Sequence, residues 1–99
     1  MTTLYYAPGA CSLASHIALE EAGAPFDTAR LNLMAGDQRS PEYLAVNERG
    51  RVPALVEDGW VLTENTAILR HVARLYPALW PEGPRDQAIA DEWLAWLST

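Results

Sequence analysis

The sequence predicts an α/β fold with the element order βαβ-α-ββα and a four-stranded mixed sheet. Three observations carry this prediction. A strand, a helix and a strand succeed one another within residues 3–33, Asp58-Gly59 separates two short apolar runs, and apolar residues recur at helical spacing between Glu64 and Leu75. A βαβ unit pairs its strands in parallel through a right-handed crossover, whereas runs joined by a two-residue turn pair antiparallel, so the sheet is mixed.

Each element has a local cause. Residues 3–7 (TLYYA) form a short run with two aromatics that stops at Pro8-Gly9, a strand followed by a forced turn. Beyond Cys11, the residues Leu13, Ala14, Ile17, Ala18 and Ala22 recur at helical spacing and are expected to form the apolar face of a helix. Glu20 and Glu21 lie on its polar side, and Gly23 with Pro25 stops it. Residues 26–33 (FDTARLNL) alternate, with Ala29, Leu31 and Leu33 on one face and Thr28, Arg30 and Asn32 on the other, as in a strand.

Ser40-Pro41-Glu42 opens a short helix reaching Val46, with Ser40 as N-cap and Pro41 at the first helical position. Residues 53–57 (PALVE) and 60–63 (WVLT) flank Asp58-Gly59, a dipeptide favoured in hairpin turns whose central residues need positive φ. The next helix begins near Glu64, with Thr63 or Asn65 available as cap, carries Ala67, Ile68, Val72 and Leu75 on its apolar face, and ends before Pro77. Its opposite face carries Arg70, His71 and Arg74.

Residues 77–84 (PALWPEGP), with three prolines and one glycine, read as a linker. Arg85 to Leu97 is again helical, with Ile89, Trp93, Trp96 and Leu97 at spacings of three and four and no later element to bury them. The expected organisation is a domain over residues 1–80, then, over residues 81–99, a linker and the first helix of an all-α domain whose remainder is missing.

Composition excludes several chemistries. The 99 residues carry 7 basic and 13 acidic side chains for a formal charge of -6, and every base is arginine. Schiff-base chemistry, a phosphate-loop lysine and a lysine general base are therefore excluded. An acidic chain with scattered arginines does not suit nucleic acid or an anionic membrane as partner. Cys11 is the only cysteine and His16 and His71 the only histidines, so there is no intramolecular disulfide and no metal-site spacing. With no basic n-region before Pro8-Gly9 and no apolar stretch of spanning length, a cytoplasmic domain is expected.

The order βαβ, helix, ββα with a lone cysteine at the first strand-to-helix turn is the thioredoxin arrangement. The segments LYYAPGACSLASHIALEEAG, AVNERGRVPALVEDG and LTENTAI, in this order and spacing, resemble the N-terminal domain of a bacterial, beta-class-like glutathione S-transferase. The resemblance runs from residue 1 to about residue 80. It implies a thioredoxin-like fold, glutathione as co-substrate, a small electrophile as second substrate, a homodimer, and a helical second domain that supplies most of the electrophile pocket.

Three motifs then acquire candidate roles. Cys11 opens the first helix, where unpaired N–H groups and the helix dipole favour a thiolate, and the resemblance puts it at the glutathione sulfur. The plainer reading is a small buried apolar residue. Ser12 and Tyr6 are rival activators, since other classes of the family use a serine or tyrosine hydroxyl here to stabilise the thiolate. Ser12 could equally serve its own backbone, and Tyr6 could be core packing.

Val52-Pro53 resembles the cis-proline that thioredoxin-like folds hold opposite the cysteine, an arrangement in which the Val52 backbone pairs with a peptide ligand as an added strand. An ordinary trans peptide at a strand start is the alternative. At Glu64-Asn65, a ligand carboxylate can sit over the helix N-terminus while Glu64 meets its ammonium; a plain helix cap is the alternative. The family's most frequent residue at position 65 is serine, so the side-chain contact of Asn65 is open.

Beta-class relatives often carry a lysine after the second strand, where this chain reads Met34 to Arg39. The glycyl carboxylate then falls to Arg51 or Arg39, Arg51 being preferred because it adjoins Val52, against the alternative of a solvated loop arginine. His16 and His71 read as surface or packing residues, and Trp60 and Trp80 as packing anchors. The leading expectation is a glutathione transferase or glutathione-dependent thiol-transfer domain without metal, and the alternative a non-catalytic glutathione-binding or protein-interaction module. A dithiol oxidoreductase is disfavoured because Cys11-Ser12-Leu13-Ala14 lacks a second cysteine.

Overall fold

The structure is a computed structural model that describes residues 1–98; Thr99, the last residue of the expected 81–99 segment, lies outside the described residues. Strands β1 (Thr2–Tyr6), β2 (Asp27–Arg30), β3 (Ala54–Glu57) and β4 (Trp60–Thr63) form one sheet in the order β2-β1-β3-β4. β1 runs parallel to β2, while β1–β3 and β3–β4 are antiparallel, so Leu4 lies between Thr28 and Leu55. The helices are α1 (Ser12–Ala22), α2 (Pro41–Leu44), α3 (Asn65–Leu75) and α4 (Pro84–Leu97). Short 3-10 turns occupy Asp37–Arg39 and Pro77–Leu79.

The local signals act as expected at several points. Ser40 caps α2, its Oγ accepting the Tyr43 N–H at 3.2 Å, with Pro41 in the first turn. Asp58 and Gly59 both take positive φ in the hairpin turn. Gly23 ends α1 in the left-handed conformation.

β2 is shorter than the alternating pattern of residues 26–33. Leu31 still donates its N–H to Tyr6 O at 2.8 Å, but β1 turns away at Pro8-Gly9 and nothing remains for residues 32 and 33 to pair with. Leu31 and Leu33 nevertheless pack against the core, so the alternation holds in burial while the ladder stops. α2 ends at Leu44, short of Val46.

The apolar face expected for α1 is not the buried one. Ser12, Ser15 and Leu19 are buried, whereas Leu13 and Ile17 are 56% and 52% exposed. Two serines can lie under the helix because each hydroxyl is hydrogen-bonded: Ser12 to the Ala7 backbone and Ser15 to Asn65. Their small side chains meet the sheet, and Leu13 and Ile17 turn outward.

α1 and α3 cover one face of the sheet over Leu4, Leu19, Leu55, Ile68 and Val72. The opposite face packs Tyr43 of α2 against Ala7, Val52 and Ala54, with the Tyr5 ring 5.5 Å from that of Tyr43. α4 has no buried residue. It is tied to the rest by Arg70–Asp91 at 2.9 Å and a 2.7 Å hydrogen bond between Thr66 and Ser98. Ile89, Trp93, Trp96 and Leu97 stay 52–69% exposed.

Candidate functional site

The site forms where β1 ends, β3 begins and α1 and α3 start. An open cleft of about 1330 Å³ there is lined by Cys11, Arg51, Val52, Pro53, Glu64 and Asn65 among others. Six of the eight residues singled out in the sequence thus line one cleft.

Cys11 is brought there by the turn after β1. Ala10 N–H closes the turn onto Ala7 O at 3.2 Å, and Gly9 takes the positive φ that this reversal needs. Cys11 then occupies the N-cap of α1 and is exposed. Its Sγ donates to Val52 O at 3.5 Å. The Val52–Pro53 peptide is cis, and the sheet ladder begins only at Ala54, so the Val52 peptide groups stand outside the ladder and beside the thiol.

The segment before Val52 is braced from within. Tyr43 Oη and Asn47 Nδ2 both donate to Arg51 O, at 2.5 and 2.9 Å, and Asn47 Oδ1 accepts the Arg49 N–H at 3.1 Å. Tyr43 is 3% and Asn47 6% exposed, so the carbonyl beside Val52 is held by two buried side chains. Burial pushes the Tyr43 phenol above its ordinary value, which keeps it a neutral donor. Gly50 closes the loop with φ +62, its α-carbon so near Gln38 O that a Cβ would stand 2.9 Å away.

Glu64 precedes α3 with φ 76 and ψ 128, a backbone conformation that costs a non-glycine residue about 1–3 kcal/mol. It leaves the Glu64 carboxylate, 60% exposed, at the cleft, 3.8 Å from Arg49 Nη1. Asn65, Thr66 and Ala67, the first residues of α3, line the same cleft, and the first N–H groups of a helix have no partner within it. The N-cap of α3 is Glu64, not Thr63 or Asn65 as expected; it gives no side-chain cap bond, and Asn65 is already the first helical residue. Its Nδ2 donates to Cys11 O at 2.8 Å, and its Oδ1 accepts from Ser15 Oγ at 2.6 Å.

Two of the three candidate activators lie elsewhere. Ser12 is fully buried, its Oγ accepting the Ala7 N–H at 3.1 Å and donating to Ala7 O at 3.2 Å. It serves the backbone of its own turn. Tyr6 packs with the sheet core and meets His16 edge-on at 5.1 Å, away from the cleft lining. Arg51 is exposed at the cleft, whereas Arg39 lies in the 3-10 turn outside its lining.

His16 packs between Tyr6 and Phe26, as expected. His71 is likewise a packing residue: Nε2 lies 2.7 Å from Glu57 Oε1 and the ring meets Trp60 edge-on. Trp80 is an anchor, with the Arg70 guanidinium 4.2 Å above its ring. Sequence reasoning missed Tyr43, Asn47 and Arg49. Only Asn47 left a signal, an asparagine two residues before the loop position whose N–H it accepts. Among the described residues no cluster of three or more His, Cys, Asp or Glu is placed to hold a metal, and no helix is long and apolar enough to cross a membrane.

A cysteine at the first strand-to-helix turn, facing a cis-proline loop at the end of a β2-β1-β3-β4 sheet, defines a thioredoxin-like domain. Residues 1–74 match the family model for the glutathione S-transferase N-terminal domain, and the chain belongs to that family. It is 42% identical over 98 residues to glutathione S-transferase GST-4.5 of Xanthomonas campestris pv. campestris, a match covering 96% of this chain and 47% of the relative. It is also 42% identical over 101 residues to glutathione S-transferase GstA of Escherichia coli O157:H7, covering 97% of this chain and 50% of the relative. The chain thus spans about half the length of these relatives. A Sulfitobacter glutathione transferase homologue solved with bound glutathione superposes with a TM-score of 0.95 at 41% identity, over 100% of this chain and 49% of the other.

Proposed function

We propose that the cleft binds glutathione and that Cys11 meets its sulfur, for conjugation to an electrophile or for thiol-disulfide exchange. The observation that carries this reading is the placement of Cys11 Sγ 3.5 Å from Val52 O, in one cleft with Glu64 and the start of α3. The Val52 peptide pairs with the cysteinyl part of the ligand as a short added strand. The α-carboxylate of the γ-glutamyl end lies over the N-terminal N–H groups of α3, and Glu64 takes its ammonium. Arg51, the exposed arginine beside Val52, takes the glycyl carboxylate. Ser12 and Tyr6 are given no part in this arrangement, since neither residue lines the cleft and the Ser12 hydroxyl is bonded to the Ala7 backbone.

Residues 1–80 act as the glutathione-binding domain, and residues 81–99 begin a helical domain that covers Leu13, Ile17 and the exposed face of α4 and supplies the electrophile pocket. The whole protein works in the cytoplasm as a homodimer. Retention on immobilised glutathione tests binding, and turnover with a model electrophile or a glutathione mixed disulfide tests chemistry. We expect Cys11→Ala to keep retention and lose at least about tenfold in thiol exchange. Retention without any turnover, even with the complementing helical domain supplied, favours the non-catalytic binding module. Unchanged turnover in Cys11→Ala refutes the role of the thiol.

A further inference from the structure

We propose that Asn65 is a positioning residue for Cys11: its side chain clamps the opening turn of α1 to the start of α3 and so fixes where the thiol stands against Val52. The inference rests on the reading of Cys11 as the group that meets the glutathione sulfur. Three observations carry it. Both polar ends of the Asn65 amide face α1, Nδ2 donating to Cys11 O at 2.8 Å and Oδ1 accepting from Ser15 Oγ at 2.6 Å. Neither α1 nor α3 has a side-chain cap bond of its own, so Asn65 serves the other helix and not the one it opens. Ser15 is fully buried and aims its hydroxyl at Asn65, which fixes the orientation of the amide.

The chemical consequence follows from the atoms involved. Within its own turn the Cys11 carbonyl takes the Ala14 N–H at 3.3 Å, a long bond that leaves the peptide plane loosely held. The shorter bond from Nδ2 holds that plane, and the plane sets the direction of the Cα–Cβ bond that carries Sγ toward Val52. With its oxygen and one N–H committed to α1, the Asn65 side chain keeps a single N–H and is not the main contact of the γ-glutamyl carboxylate. The backbone N–H groups of α3 fill that role.

The test separates the clamp from a ligand contact. In the 99-residue chain, Asn65→Ala and Ser15→Ala are compared with the parent for the rate at which Cys11 attacks an aromatic disulfide without glutathione. In this step a mixed disulfide forms and an aromatic thiolate leaves. Glutathione dissociation constants are measured by calorimetry, and circular dichroism checks that each variant is folded. We expect the exchange rate to fall about tenfold in Asn65→Ala and about threefold in Ser15→Ala, with glutathione affinity held within about threefold. Ser15→Ala keeps the test alive if Asn65→Ala does not fold, since it removes the clamp from beneath without touching the cleft lining. Unchanged exchange rates overturn the inference, as does an Asn65→Ala variant that loses glutathione affinity while its exchange rate stays at the parental value. A parent chain that binds no glutathione refutes the functional reading instead, and the exchange rates still decide whether the clamp exists.

Discussion

The Arg51 carbonyl takes hydrogen bonds from Tyr43 Oη and Asn47 Nδ2, and the next residue carries the peptide that faces Cys11. Tyr43→Phe removes one donor and leaves the other, a loss of about 1 kcal/mol. Asn47→Ala removes the second donor and the acceptor of the Arg49 N–H, a loss of about 1–2 kcal/mol. In the double variant no side chain among the described residues still donates to that carbonyl, and an unmet, partly buried acceptor adds roughly 1–3 kcal/mol. The double variant is therefore expected to lose about 1 kcal/mol or more beyond the sum of the singles. In a domain of this size each kcal/mol lowers Tm by about 4–8 °C, so the excess is readable by thermal unfolding and, as a double-mutant cycle, by urea titration. A coupling energy of zero would refute the idea that both donors serve one carbonyl.

Two further outcomes follow from the same loop. Burial raises the Tyr43 phenol above its ordinary value of 10.0, against a smaller lowering by Asn47, so the folded state holds this proton more tightly than the unfolded chain. Stability from this residue is intact below the unfolded value and falls as pH rises from there through the folded value; Tyr43→Phe should flatten that alkaline limb, and an unaltered limb counts against the assignment. At Gly50 both the left-handed backbone and the Gln38 carbonyl oppose a Cβ, so Gly50→Ala should cost about 2–3 kcal/mol by urea unfolding. Gly36→Ala, with φ +83 and open space around the new atom, should cost about 1 kcal/mol, and equal losses at the two positions would remove the close approach as the cause.

Much of the fold was legible because its signals are local. Ser40-Pro41, Asp58-Gly59 and Gly23 each impose a backbone conformation on their own residues, and the structure shows those conformations. The cleft was legible for a related reason: Cys11 follows a forced turn, and Val52-Pro53 and Glu64-Asn65 each stand where an element begins. The roll of α1 was not. Its leucine, isoleucine and alanine spacing favours one face, yet the partners that let Ser12 and Ser15 be buried are a backbone turn and a side chain 50 positions away. That roll also withdraws the Ser12 hydroxyl from the cleft.

Taken alone, the sequence determined the order of elements, the mixed sheet and the three motifs of the cleft, because turns, caps and periodicity act over a few residues. The tertiary structure alone decided that the Ser12 hydroxyl is bonded to the Ala7 backbone, which carbonyl Tyr43 and Asn47 hold, and that Asn65 is bound to α1 and does not cap α3. Those outcomes depend on hydrogen bonds between side chains and backbone far apart in the chain, and such bonds are set only when the two helices have settled on the sheet.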